Sequence, residues 1–269
     1  MRSHGVGMNK TRENRAPVVG LFATCLVDLL RPGIGFASAA LLQRAGCRVE
    51  VPPSQTCCGQ PAYNSGAQTD TRSIARKVIS TFENFDYVVA PSGSCAGMIK
   101  LHYPKILKDD PKWALRAARL ARKTFELTQF LSDEIKMAEL AVSSQMTATY
   151  HDSCSGLREL SIKQQPRKLL DQVQGVCLKE GKQAERCCGF GGLFCVKYGD
   201  ISTGIVDEKI DDLQATDAQV VLGGDLGCLL NIAGRLKRLG SSIEVRHVAE
   251  VLAGITDLPA ISEPLKTKN

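Results

Sequence analysis

The cysteines of this chain include two matching sets of four. Each set has one isolated cysteine, then an adjacent pair followed by glycine, then a second isolated cysteine. The first set is Cys25, Cys57, Cys58 and Cys95, and the second set is Cys154, Cys187, Cys188 and Cys228. Every member of the second set follows its counterpart in the first at nearly the same distance along the chain. A pattern that recurs at a nearly constant offset indicates an internal duplication, so we expect two copies of one structural unit.

The length of 269 residues is sufficient for two domains of ordinary size. We expect a disordered basic tail at residues 1–17, a first cysteine-rich domain at 18–142, a second at 143–260 and a tail at 261–269. No signal peptide is expected in the first tail, and no apolar run approaches the ~20 residues of a membrane span. The tail carries three of the six net positive charges, so the rest of the chain is only mildly basic. Its net charge therefore does not indicate nucleic-acid binding.

Short apolar runs alternate with amphipathic helical patterns in both copies. The predicted strands are residues 18–23, 47–51, 86–90, 147–150, 176–179 and 220–222, and residues 98–135 are predicted to be largely helical. This alternation predicts an α/β fold of two duplicated, three-layer domains, each with a parallel sheet. Ligands collect at the carboxyl ends of strands in such sheets. Four isolated cysteines are expected at those ends: Cys25, Cys95, Cys154 and Cys228.

Eleven cysteines without a secretory signal indicate metal or redox chemistry in the reducing cytoplasm rather than a disulfide framework. Four thiolates suit a zinc ion or an iron-sulfur cluster. Structural zinc sites usually take ligands from two short knuckles, whereas these donors are scattered, which favours a cluster. Glycines beside the pairs would let backbone amides approach cluster sulfurs, namely Gly59, Gly189, Gly191 and Gly192.

The residues around both pairs resemble a known group of proteins. Cys57-Cys58-Gly59 and Cys187-Cys188-Gly189-Phe190-Gly191-Gly192 are similar to the cysteine-rich CCG domains shared by heterodisulfide reductase and the glycolate oxidase iron-sulfur subunit. Residues 57–66, 92–95, 228–232 and 247–252 more closely resemble the lactate utilisation protein A family. This similarity runs from about Val18 to Leu252.

The resemblance implies a cytosolic component of a three-protein, iron-sulfur system that oxidises L-lactate to pyruvate. Its partners would be a ferredoxin-like iron-sulfur subunit and a third lactate-utilisation subunit. The eight cysteines of the two sets would be the ligands, with one four-iron cluster in each domain.

The sequence departs from the wider CCG family at two positions. Many copies in that family end in Cys-x-x-Cys, but Ser92 and Asp225 stand at the first of these positions here. This departure argues against the five-thiol cluster of the heterodisulfide reductase relatives and favours a four-iron cluster, with Asp225 as a weak extra ligand in the second copy. Cys195, seven residues after Cys188, could substitute for a ligand, but a small buried thiol is the expected role. Cys47 and Cys177 are expected in the core, inside strands.

Several polar residues are candidates for chemistry near the second set. His151 lies three residues before Cys154, where it could donate a hydrogen bond to a cluster, shuttle a proton or serve as an ordinary strand-end histidine. Asp152 and Asp225 could accept protons there. His247 is expected at the start of a helix, in a core or surface role. A solvated helix face is predicted for Lys163, Arg167 and Lys168.

Three functions are consistent with these patterns. The leading hypothesis is an electron-transfer subunit of a lactate-oxidising complex, an oxidoreductase component that needs partner proteins. The alternatives are a thiol-disulfide reductase subunit of the heterodisulfide type and a zinc-bound structural protein. No nicotinamide or flavin site is predicted, because the run after Cys188 lacks the glycine spacing of a dinucleotide loop.

Overall fold

The computed structural model describes residues 15–263, so most of the predicted basic tail and the end of the predicted second tail lie outside the described residues. The described chain forms two four-stranded sheets, and all strand pairs in both are parallel. The first sheet has the order β2-β1-β3-β4, and the second has the order β6-β5-β7-β8. The strands are β1 (Val18–Leu21), β2 (Arg48–Glu50), β3 (Tyr87–Ala90), β4 (Thr124–Glu126), β5 (Ser143–His151), β6 (Gln174–Lys179), β7 (Val220–Gly223) and β8 (Glu244–His247).

The two sheets are copies of each other in register as well as in order. Leu21 of β1 pairs with Val89 of β3, and Tyr150 of β5 pairs with Leu222 of β7. Tyr150 follows Leu21 at the same offset that separates Cys154 from Cys25. Leu222 likewise follows Val89 at the offset that separates Cys228 from Cys95. The internal duplication and the α/β fold predicted from the sequence are therefore confirmed.

Helices connect the strands and follow the repeat. The α-helices are α1 (Cys25–Leu30), α2 (Pro32–Arg44), α3 (Gln60–Asn64), α4 (Gln68–Phe82), α5 (Gly93–Gly97), α6 (Tyr103–Ile106), α7 (Ala114–Arg122), α8 (Leu127–Gln129), α9 (Gln164–Leu170), α10 (Phe194–Lys197), α11 (Gly199–Gln214), α12 (Leu226–Arg238) and α13 (Val248–Ala253). Short π-helical segments occur at Met98–His102, Phe130–Glu134 and Ser155–Glu159. None of the helices in the described part of the chain is long and apolar enough to cross a membrane.

Two strands were not anticipated from the sequence. The prediction of helix through residues 98–135 is wrong at Thr124–Glu126, which form the edge strand β4. His247 ends the strand β8, and its side chain caps α13, where it accepts a hydrogen bond from the Ala249 amide. Both strands are only three or four residues long, so they carry too little apolar periodicity to be recognised.

One hydrophobic core joins the two halves. It contains Val19 and Leu21 from the first sheet together with Ala148 and Leu222 from the second, all buried. A second core lies mainly in the first half around Phe22. Because the two copies share buried apolar surface, they pack as one body.

A buried ion pair also crosses the boundary between the copies. Arg31, between α1 and α2, donates to both carboxylate oxygens of Glu250 in α13, at 2.8 and 3.2 Å. Arg31 also donates to the carbonyl of Pro259. The Glu250 side chain is fully buried. A carboxylate in this position depends on its partner, because an isolated buried charge is strongly unfavourable.

Candidate metal centres

The first four-thiol group lies beyond the ends of β1 and β3. Cys25 is the first residue of α1, and the side chain of Thr24 caps that helix. The Cys57 and Cys58 loop approaches from the side, and the sulfurs of Cys25 and Cys57 lie 3.6 Å apart. Cys58 interacts with both Cys57 and Cys95, so the four thiols meet at one place. We call these four residues the first thiol group.

The second thiol group repeats this arrangement with Cys154, Cys187, Cys188 and Cys228. Cys154 interacts with Cys187, and Cys188 interacts with both Cys187 and Cys228. The loop is held from outside by Asn231, which donates to the carbonyl of Cys188 at 2.7 Å. In the first group the hydroxyl of Tyr103 makes the corresponding bond to the carbonyl of Cys58, also at 2.7 Å. In each loop, the carbonyl of the second cysteine of the pair thus accepts a hydrogen bond from a side chain outside the loop.

A glycine with positive φ follows each pair. Gly59 has φ +83° and Gly189 has φ +78°, a conformation that favours glycine. This geometry turns each backbone amide toward a sulfur: Gly59 donates to Cys57 at 3.4 Å, and Gly189 donates to Cys187 at 3.3 Å. The other two candidate glycines, Gly191 and Gly192, shape the following turn, where the carbonyl of Gly192 accepts from the Cys195 thiol. Amide contact with sulfur is therefore seen for one glycine in each copy.

The thiols within each group stabilise one negative charge together. The hydrogen bond from Cys25 and that from Cys58 lower the pKa of Cys57 to about 2, and the hydrogen bonds from Cys154 and Cys188 lower the pKa of Cys187 to about 2. The same hydrogen bonds, with burial, raise the pKa of Cys25 and of Cys154 above the usual thiol value. Ionisation of all four thiols would bring four negative charges together, so it requires a cation among them, and metal binding supplies that charge by replacing the thiol protons. The donor set therefore fits a metal or cluster.

The cysteines outside the two groups have separate environments. No disulfide is formed by any of the eleven, all of which lie within residues 15–263. Cys47 is buried, as predicted, but it lies just before β2 rather than inside a strand. Cys177 lies inside β6, as predicted, but the expected core position is wrong because the residue is exposed. β6 is an edge strand of the second sheet. Cys195 is partly buried in α10.

His151 is placed against the second thiol group by the end of β5. It is buried, and one of its ring nitrogens lies with the sulfurs of Cys188 and Cys228 so that all three atoms are within 4.8 Å of one another. Within the described part of the chain, neither ring nitrogen has a hydrogen-bond partner. Burial, with the nearby charge of Lys209, lowers the pKa of His151 to about 3, so the ring is neutral. A buried imidazole of this kind beside four thiols fits a bound group that can accept its hydrogen bond.

Asp225 and Ser92, the two positions that depart from the family pattern, contact each other across the two copies. The carboxylate of Asp225 accepts from the Ser94 amide at 2.9 Å and from the Ser92 hydroxyl at 3.3 Å. Ser92 in turn caps α5, where its hydroxyl accepts from the amide of Cys95. Asp225 therefore supports the loop of the first thiol group through one of its two carboxylate oxygens.

Asp152 forms an ion pair that the sequence did not indicate. Arg167 donates to both oxygens of Asp152, each at 2.9 Å, and also binds Glu180. The prediction that Arg167 lies on a solvated face is wrong, because its side chain is only 12% exposed. Both oxygens of Asp152 are thus paired with a cation, which holds this side chain just beyond the end of β5.

A small cavity separates the two copies beside these residues. Its volume is about 20 Å³, and its lining includes Glu126, Tyr150 and Asp152. A space of this size holds about one water molecule, so it is too small for an organic substrate. Glu126 comes from the end of β4, a strand that the sequence did not reveal, and no motif marks it. Burial raises the pKa of Glu126 to about 7, although hydrogen bonds from Thr128 and the Gln129 amide partly oppose this shift.

Glu126 is expected to make stability depend on pH. Its carboxyl ionises near pH 4.5 in the unfolded chain and near pH 7 in the folded chain. Its stabilising contribution to the free energy of unfolding is therefore fully present below pH 4.5 and is lost as pH rises through 7. The loss amounts to about 3 kcal/mol. Relative to wild type, Glu126→Gln should therefore gain about that much unfolding free energy between pH 4.5 and pH 8, measured by urea denaturation.

Glu83 is a suitable control for this measurement. A hydrogen bond from Arg116 lowers the pKa of Glu83, so Glu83→Gln should lose stability relative to wild type as pH rises. A Glu126→Gln difference that stays flat with pH would show that this carboxyl is not held in its protonated form.

The fold and the two thiol groups define a class of protein. A family model for the cysteine-rich CCG domain matches residues 19–100 and 148–233, which contain the two thiol groups. The chain is thus a tandem cysteine-rich-domain protein. Lactate utilization protein A of Bacillus cytotoxicus is 49% identical over 234 residues, covering 87% of this chain and 98% of that protein. Lactate utilization protein A of Geobacillus sp. (strain WCH70) is 50% identical over the same shares of both chains. This chain belongs to the lactate utilization protein A family.

A solved structure supports the fold independently. The crystal structure of a hypothetical protein from Helicobacter pylori superposes with a TM-score of 0.65 at 11% sequence identity. The match covers 94% of this chain and 50% of that one, so this chain spans about half the length of its structural neighbour. The similarity concerns the arrangement of strands and helices.

Proposed function

We propose that this chain is a cytoplasmic electron-transfer subunit of a multi-protein system that oxidises L-lactate to pyruvate, and that it holds one four-iron cluster in each copy. In this proposal each copy, residues 18–142 and 143–260, is one cluster-binding unit. The observation that carries it is the presence of two equivalent groups of four thiols in a member of the lactate utilization protein A family.

The ligands in this proposal are the four cysteines of each thiol group. Bound clusters would supply one-electron transfer. The amides of Gly59 and Gly189, which donate to the sulfurs of Cys57 and Cys187 in the structure, would stabilise these two thiolates by hydrogen bonds. Asp225 and Ser94 join the loop of one group to the helix that carries Cys228 of the other. The two redox sites would thus be connected directly by this hydrogen bond between Asp225 and Ser94.

A zinc-bound structural protein is the second candidate, and one distance favours it. The 3.6 Å between the sulfurs of Cys25 and Cys57 is close to the separation of about 3.8 Å expected for two thiolates on one tetrahedral zinc ion. The unpartnered ring nitrogens of His151 suit both candidates, because zinc-bound thiolates and cluster sulfides both accept hydrogen bonds.

Lactate oxidation in this proposal requires partner proteins. Removing two electrons and two protons from a 2-hydroxy acid normally uses a hydride or two-electron acceptor, for which this chain has no recognisable motif. The proposed partners are a ferredoxin-like iron-sulfur subunit and a third lactate-utilisation subunit. Cys25 is exposed, and the helices α1 and α2 carry two exposed apolar side chains, Leu29 and Phe36, which suits contact with another protein.

The test is lactate-dependent reduction of an artificial electron-accepting dye. We expect no useful rate from the isolated cluster-loaded chain and activity after both partners are added, with pyruvate formed and the dye taking up the two electrons. Full activity without partners would contradict the subunit role. Absence of lactate activity in both mixtures, together with reduction of a mixed disulfide by a dithionite-reduced sample, would favour a thiol-disulfide reductase instead.

A further inference from the structure

The two thiol groups differ at one buried position on the first strand of each sheet. Phe22 follows β1, and its amide donates to the carbonyl of Val89 at 2.8 Å, which continues the pairing with β3. The residue at the corresponding place in the second copy is His151, which pairs with Gly223. His151 follows Phe22 at the same offset that separates Cys154 from Cys25. An apolar ring beside the first group is therefore replaced by an imidazole beside the second.

A second difference lies on the helix that packs behind each cysteine pair. Ile79 in α4 follows Cys58 at the same spacing at which Lys209 in α11 follows Cys188, and both side chains are fully buried. The ammonium group of Lys209 donates to the carbonyls of Gln183 and Ala184, just before the cysteine loop. Its charge interacts with Cys188 as well as with His151. The second group thus has a buried cation where the first has an alkyl chain.

We propose that His151 and Lys209 make the second thiol group the site of higher reduction potential, with His151 donating an N–H hydrogen bond to sulfur of the bound cluster. This inference rests on the proposed function, because it assumes a cluster in each group. Hydrogen bonds to cluster sulfurs and nearby positive charge both favour the reduced, more negative form. An electron shared between the two sites would therefore reside mainly on the second.

The duplication identifies His151 as a hydrogen-bond donor rather than a ligand. The first group has the same four cysteines and a phenyl ring at this place, so four thiolates complete the ligand set in both copies. The imidazole is additional to that set. Binding a sulfur acceptor also removes the desolvation cost that a buried polar group without a hydrogen-bond partner carries.

The charges around His151 and Lys209 leave this conclusion unchanged. Asp152 is neutralised by Arg167, which binds both of its oxygens. Asp212 lies 3.7 Å from the Lys209 ammonium and offsets part of its charge, but the first group has neither a buried cation nor a ring N–H at the equivalent positions, Ile79 and Phe22. Asp225, whose counterpart in the first copy is Ser92, places a carboxylate near Cys228 and acts in the opposite direction. Hydrogen bonds from Ser92 and Ser94 stabilise that charge locally, so the ring N–H of His151 and the ammonium group of Lys209 are expected to outweigh it.

The test uses the full chain, loaded with iron and sulfide under anaerobic conditions, in a Cys58→Ser background that retains only the second cluster. A redox titration followed by electron paramagnetic resonance should show a shift to more negative potential in His151→Phe, with iron per chain unchanged. Phenylalanine is expected to fit, because Phe22 occupies the equivalent place.

With ¹⁵N-histidine labelling, a weak nitrogen coupling should be present before the change and absent after it. His102→Gln is the matched control and should alter neither readout.

Lys209 provides the second variant. Lys209→Met should also shift the reduction potential to more negative values. Lys209→Arg keeps the charge, so its reduction potential should stay close to that of wild type. An unchanged potential in His151→Phe with full iron would overturn the inference, and loss of the iron would show that His151 is a ligand rather than a donor. A wild-type chain that binds no iron would instead reject the proposed function, so the two failures are distinguishable.

Discussion

Replacing Cys188 with serine is expected to remove about half of the bound iron and leave the remainder in the first thiol group. Each group is a complete set of four thiols with its own loop and its own supporting hydrogen bond, from Tyr103 in one copy and Asn231 in the other. A serine hydroxyl is a poor ligand for iron in a thiolate site, so one cluster should be lost. Cys58→Ser should remove the other half, and the double variant nearly all. Iron and acid-labile sulfide per chain are the quantities to measure.

Cys177→Ser is the matched control for these variants. Cys177 lies in the same copy as Cys188, on the edge strand β6, but it is exposed and outside both thiol groups. Its replacement should leave the iron content at the wild-type value. If either single variant, Cys58→Ser or Cys188→Ser, lost all of its iron while it remained folded, the two sites could not be independent.

Replacing Arg31 with methionine is expected to lower the free energy of unfolding by about 3–5 kcal/mol. The change leaves Glu250 as an uncompensated carboxylate that is fully buried between the two copies. Methionine keeps much of the length and apolar contact of arginine, so the loss reports the missing charge. Urea denaturation of the anaerobic protein, followed by far-UV circular dichroism, measures it.

Arg44→Met separates the ion pair from the general packing of α2 against α13. Arg44 donates to the carbonyl of Ala253 at 2.8 Å, so it crosses the same boundary without meeting a carboxylate. Its replacement should cost only about 1 kcal/mol. Adding Glu250→Gln to Arg31→Met should recover part of the stability, because the amide oxygen can still accept from the His247 amide that Glu250 now binds at 3.3 Å. Equal losses in Arg31→Met and Arg44→Met would show that the buried charge is unimportant.

The cysteine spacing predicted the duplication, and the alternation of short apolar runs with helical patterns predicted the α/β fold. Parallel strands end at the same edge of a sheet, so Cys25 and Cys95, which follow β1 and β3, had to lie near each other. The same logic applies to Cys154 and Cys228. Even the difference between Phe22 and His151 is readable from the sequence once the two copies are aligned on their cysteines.

Contacts between the copies could not be predicted in this way. Glu126 acquires its surroundings from Tyr150 and Asp152 of the other copy, and no local pattern marks it. Asp225 appeared to be a possible extra ligand of the second copy, yet its carboxylate binds Ser92 and Ser94 of the first. The packing of one copy on the other decides these roles, and hydrophobic periodicity contains no information about it.

Metal and sulfide analysis of the anaerobically purified chain tests most directly whether each copy holds an iron-sulfur cluster. The proposal predicts a brown protein with about eight iron atoms and about eight acid-labile sulfides per chain. A colourless protein with about two zinc ions per chain and no sulfide would contradict it.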